Sequence, residues 1–266
     1  MQANNSKIIN LLFVTGGILF FIITLGFFFQ LPWATALWPW PDGRLSYIFI
    51  ASITAAVAAP MIWIGLSGEF GAARGGAINL GVTSAGTAIY FSYLYSQNRE
   101  LQLLISAVVS VISVLANWLI FKWSSKIPIK DQRAMPALVK ISFVIFIIVL
   151  FLASSMLILR AAVIFPWPLK PESSVIFGLV FLGAAFYFLT ALRMQEWHSA
   201  RGQLIGFLAY DLILIGPFLA HFNTVNPDHR VSLIIYTLVL VYSGALAIYF
   251  LFINKTTRSW RIQDSP

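Results

Sequence analysis

Apolar runs of about twenty residues recur along the whole chain, and nothing else in the sequence constrains the fold as tightly. A helix needs roughly 20 apolar residues to cross a hydrocarbon core about 30 Å thick. Eight segments approach that length: 8–29, 45–66, 76–94, 101–121, 138–165, 175–191, 204–221 and 231–253, the third and seventh being the least purely apolar. Composition agrees, with 59% of residues hydrophobic and only 10% charged. A soluble domain carries about 25% charged residues, and a disordered chain needs low hydrophobicity. The expectation is an all-α integral membrane protein with eight transmembrane helices. The first segment is longer than a secretory signal core, so it reads as a retained span.

Basic residues set the expected orientation. Lys122, Lys126, Lys130 and Arg133 lie between the fourth and fifth segments, and Lys255, Arg258 and Arg261 lie in the tail. Arg74, Arg193 and Arg201 fall on the same side of an eight-span chain, whereas the opposite loops hold Arg44, Arg99, Lys170 and Arg230, with Arg160 nearby. The positive-inside bias then places both termini in the cytoplasm, with the bacterial plasma membrane as the expected location. The formal +8 charge is accounted for by these loops, so no nucleic-acid partner is expected. Cysteine is absent, which excludes disulfides, thiolate metal sites and thiol catalysis.

The sequence also repeats. Pro39-Trp40-Pro41 returns as Pro166-Trp167-Pro168. At the same offset Glu69 matches Glu196, and Ala73-Arg74-Gly75 matches Ala200-Arg201-Gly202. The two motifs keep one ungapped spacing in both copies. This predicts a tandem 4+4 arrangement, residues 1–127 and 128–266, forming one integrated membrane domain. An even number of spans per unit makes the repeats parallel, related by a pseudo-twofold axis along the membrane normal. Trp38-Pro39-Trp40-Pro41 is similar to a W-P-W-P-L-type signature of uncharacterised bacterial multispan membrane proteins. That resemblance covers a few residues per copy and implies a membrane fold without an activity.

Candidate functional residues are few. The P-W-P copies read as structural corners, because proline stops a helix and tryptophan anchors at an interface. Glu69 with Arg74, and Glu196 with Arg201, read as an ion pair or gate on the cytoplasmic side, paired within a turn or across the pseudo-twofold axis, alternatively as a rim for an anionic ligand. Asp211 is the sharpest signal, an acid roughly 12 Å inside the seventh segment, where insertion costs about 2.5–3.5 kcal/mol. Tyr210 precedes it and Pro217 follows within two turns. Its counterpart at the repeat offset is Ser84, so the halves differ here. His198, His221 and His229 fall in loops or at a segment end and read as solvated, with no metal ligation expected. Cofactors are not expected, although bound lipid suits such a chain.

Two functions follow from these residues. One is binding or transport of a small solute or ion, carried by Asp211. The other is a non-catalytic subunit of a larger membrane assembly, or a homo-oligomer, carried by the apolar surface. An intramembrane enzyme is disfavoured because nucleophile and acid–base pair are both missing.

Overall fold

The computed structural model describes residues 2–258, with side chains from Ser6 onward. Arg261 of the basic tail lies outside the described residues. The chain is 80% helical, with no strand among the described residues. Eight long helices run in order: α1 (Gln2–Phe28), α2 (Arg44–Ser67), α3 (Ala73–Asn98), α4 (Leu101–Ser124), α5 (Ala137–Ile158), α6 (Pro171–Met194), α7 (Trp197–His221) and α8 (Arg230–Ile248). The last continues as a π-helical turn over Tyr249–Ile253. Seven of the eight are long and apolar enough to cross a membrane. The exception, α3, is diluted by Arg74, Asn79 and a run of Gly, Ser and Thr.

Helices dominate because backbone N–H and C=O groups find no water in hydrocarbon and must bond within their own segment. The breaks between helices are locally encoded. Gly68 caps α2 in the left-handed region at φ +68°, its N–H bonded to the Ile64 carbonyl. Arg99 and Gln195 take the same backbone conformation at the ends of α3 and α6 and make two short turns. Pro171 opens α6 at a position where its missing N–H costs nothing.

Two boundaries differ from the sequence expectation. Helix α5 stops at Ile158 instead of running to 165, because Arg160 and Val163 both adopt positive φ and Pro166 follows. Helix α7 begins at Trp197, well before the expected 204. Its polar first turns read as a loop, but His198 and Arg201 have partners inside the protein and so need no water.

Packing is pairwise: α1 on α2, α3 on α4, α5 on α6 and α7 on α8. Two further interfaces join these pairs, α2 with α7 and α3 with α6. The sequence neighbours α2 and α3 barely meet, and α6 and α7 only slightly more. Helices α2 and α6 are therefore interior, each 56% buried over its apolar window, whereas α1 and α4 are 11% and 17% buried. The inner helices cross closely. A Cβ on Gly206 of α7 would stand 2.9 Å from the Ala56 carbonyl oxygen of α2, and one on Gly183 of α6 would stand 2.5 Å from the Asn79 carbonyl oxygen of α3. Small residues make such approaches possible in a bilayer.

The P-W-P segments turn inward. The Trp167 indole Nε1 donates to Ser46 Oγ at 3.0 Å, and Ser173 Oγ donates to Asp42. Trp38 stacks on Phe177 and Trp40 on Phe91. Trp33 is exposed, while Trp38 and Trp40 pack against the core.

Candidate functional site

Helix α7 carries the buried polar residues that define the site. Asp211 lies near the middle of this helix, about 21 Å from its start and about 15 Å from its end along the axis. The early start of α7 puts this acid farther from the helix start than the expected boundary implied. It is 5% exposed. Its Oδ2 accepts a hydrogen bond from Ser243 Oγ of α8 at 2.8 Å, and Gly244 leaves room beside it. Its Oδ1 is buried without a partner, as is Gln203 Oε1 two turns earlier. The first-half counterpart, Ser84 of α3, bonds Ser113 of α4 at 2.8 Å.

These groups face a cavity of about 380 Å³. Its walls come from α2, α3, α5, α6, α7 and α8, with Val163–Phe165 across one end. Tyr210 also faces it and shares a hydrogen bond with Tyr236 of α8. Pro217 lies farther along α7 and withholds the N–H that the Ile213 carbonyl would otherwise receive. Tyr187 of α6 faces the cavity as well, and Gly75 and Gly202 of the two motif copies both stand against its ring.

The E-x-x-x-A-R-G copies form a second polar cluster at one end of the bundle, and their partners are not those the spacing pointed to. Glu69 Oε2 lies 3.1 Å from Nδ1 of His198, a residue on the other motif copy. Arg201 lies 3.4 Å from Asp131, with its guanidinium over the Trp63 ring. Arg74 donates to the Gly71 and Ile127 carbonyls, at 3.1 and 3.4 Å. Both motif arginines therefore hold the linker between α4 and α5. That linker is pinned again where Trp197 N–H donates to the Arg133 carbonyl at 2.7 Å and Met135 N–H to the Gln195 carbonyl at 3.0 Å, next to Glu196. Arg133 grips Asp131 with two bonds, at 2.8 and 2.5 Å, and reaches the Thr256 carbonyl. Burial pulls the Asp131 carboxyl upward, but the Arg133 bonds and charge, with Arg201, hold it below its usual range. The same bonds push Arg133 up.

His198 is fully buried beside Glu69, contrary to the solvated reading. Its position two residues after Glu196, inside the repeated motif, was the available clue. At the opposite end, His221 donates to the Pro166 carbonyl at 3.0 Å, and His229 to the Phe165 carbonyl at 2.8 Å. These two histidines brace the second P-W-P segment. Among the described residues, no group of three His, Asp or Glu is placed to hold a metal ion.

Fold and site define an all-α polytopic membrane protein with a largely apolar chamber between its helices, into whose lining Asp211 and Gln203 bring polar groups. Compared with family models, curated proteins and solved structures, the chain matches none.

Proposed function

We propose that the protein binds a small solute in the chamber beside Asp211, as a carrier or receptor and not as an enzyme. The single observation that carries this reading is the half-satisfied Asp211 carboxyl. One oxygen is fixed by Ser243, and the other is buried without a protein partner on a residue that lines the cavity. An unmade buried hydrogen bond costs about 1–3 kcal/mol, which a donor on a bound solute would recover.

The architecture proposed with it has α3 as an eighth span and two halves, 1–127 and 128–266, related by a pseudo-twofold axis. Three sets of contacts recur at the repeat offset and support it. Each helix pair maps onto another when four is added to its numbers: α1–α2 onto α5–α6, α3–α4 onto α7–α8, and α2–α7 onto α6–α3. The close crossing of Gly206 with Ala56 maps onto that of Asn79 with Gly183. The ring pairs Trp38–Trp40 and Trp40–Phe91 map onto Phe165–Trp167 and Trp167–Phe218. The chamber departs from this symmetry on its α7 and α8 side, where Asp211 stands at the position of Ser84. A bacterial plasma membrane, with both termini and the basic linker in the cytoplasm, completes the proposal.

The test is native mass measurement of gently extracted protein, wild type against Asp211→Ala. A monomer or dimer that carries a small molecule, lost in the variant at unchanged melting temperature, is the expected result. A large defined assembly without a bound molecule would replace this reading with that of a structural subunit.

A further inference from the structure

We infer that the chamber takes an uncharged lipid-soluble alcohol, which enters sideways from the bilayer between α5 and α8. This deepens the binding reading above and rests on it.

The mouth of the chamber is the first observation. Val149 of α5, Ile235 of α8 and Val163 line the cavity, yet are 44%, 59% and 44% exposed. They mark where the cavity meets the outside, and all three are aliphatic. Val149 sits midway along α5 and Ile235 in the second turn of α8, so the opening faces the flank of the bundle. Toward the motif end, Tyr242 of α8 closes the slot by bonding Ser142 of α5 at 2.7 Å and packing on Phe146.

The other end is blocked too. Val163–Phe165 forms a wall shared with a smaller cavity of about 260 Å³ on the P-W-P side. Ser232 donates to the Val163 carbonyl and His229 to the Phe165 carbonyl, which hold that wall in place. Val163 adopts φ +57°, a conformation costly for a β-branched residue, so the wall is fixed by its surroundings.

The chemistry of the interior is the second observation. Inward of the aliphatic mouth, the unpartnered atoms are Asp211 Oδ1 and Gln203 Oε1. Both suit a hydrogen-bond donor. An ammonium group would supply one, but a cation does not approach from hydrocarbon without a large penalty. A hydroxyl at the end of an apolar body meets both demands. The volume of about 380 Å³ falls in the range of ligand pockets, about 300–1,000 Å³.

The probe is a diazirine-bearing hexadecanol, photolysed with the full-length protein in phosphatidylcholine vesicles, with labelled peptides mapped by mass spectrometry. Labels are expected around Val149 and Ala153 on α5 and around Ile235 and Val239 on α8. Excess unlabelled hexadecanol should abolish them. Asp211→Ala should weaken competition about tenfold, what one hydrogen bond is worth. Val149→Trp, at an exposed position that tolerates bulk, should block the mouth and lose the signal at unchanged melting temperature. Labels spread over outer faces such as Leu115 and Leu119, unaffected by competitor, would overturn the inference. The chain has no cysteine, so Val239→Cys adds an independent readout. Its modification by a charged, membrane-impermeant methanethiosulfonate would also overturn lipid-side entry, while leaving a water-filled chamber and the binding reading intact. Failure of the charged reagent, N-ethylmaleimide and the photoprobe alike would overturn both.

Discussion

Asp131 lies in a basic linker, yet several parts of one end of the molecule meet on it. Its carboxylate receives Arg133 from its own segment and Arg201 from α7, and Arg133 carries the contact on to Thr256. Because the folded state holds this carboxyl below its ordinary value, folding favours the ionised form. That contribution is complete above about pH 4 and disappears as the pH falls through the lowered value. Melting temperatures of wild type and Asp131→Asn in detergent should therefore differ by a few degrees at pH 7 and converge as the pH drops toward 3. A constant difference would mean that packing, not charge, holds the linker. Sequence spacing singled out Glu69, Arg74, Glu196 and Arg201 but left open whether they pair within a copy or across copies. Each acid lies close to its arginine along the chain, yet the true partners come from a linker residue and from the other motif copy. Pairing at such separations depends on how helices assemble, which local spacing does not encode.

Helix existence was legible in this chain to the extent that hydropathy decides it. The ends were not, wherever a polar residue is satisfied by protein instead of water. Trp197–Gln203 looked like loop for its polar residues, of which His198 meets Glu69 and Arg201 meets Asp131 inside the protein, so the start of α7 was placed too late. Small residues of α2 and α6 permit close packing, since they let backbones approach. Gly183 is the clearest instance: a Cβ there would lie 2.5 Å from the Asn79 carbonyl oxygen, a backbone atom that cannot swing aside. Gly183→Ala should force α3 and α6 apart and cost about 1–3 kcal/mol, the usual range for overpacking. Gly76→Ala in α3 is the control, because nothing lies within 4 Å of its added methyl. That change should be neutral or stabilise by up to about 1 kcal/mol through helix propensity. Thermal unfolding of the two variants in one detergent separates them, and equal loss in both would remove the crossing as an explanation.

The fixed offset between the motif copies says which segments correspond in the proposed repeat, but not which copy each one packs against. That second choice decides the shape of the molecule. Helix α2 rests on α7 and α3 on α6, while α2 and α3 of the same half hardly meet. Close helix crossings thus join α2 to α7 and α3 to α6, so each proposed half packs its inner helices on the other half. A half by itself would leave its α2 and α3 faces uncovered, including the small residues around Ala56 and Asn79 that approach Gly206 and Gly183. Helix association in a bilayer depends on such close packing, because lipid offers no hydrophobic drive between helices. Residues 1–127 expressed alone should therefore aggregate or be degraded, and so should 128–266. Expressed together with a tag on one fragment, the two should copurify in equal amounts, although the covalent linker is cut. If either fragment is monodisperse and helical by itself, the exchange of partners between halves is not what holds the molecule together.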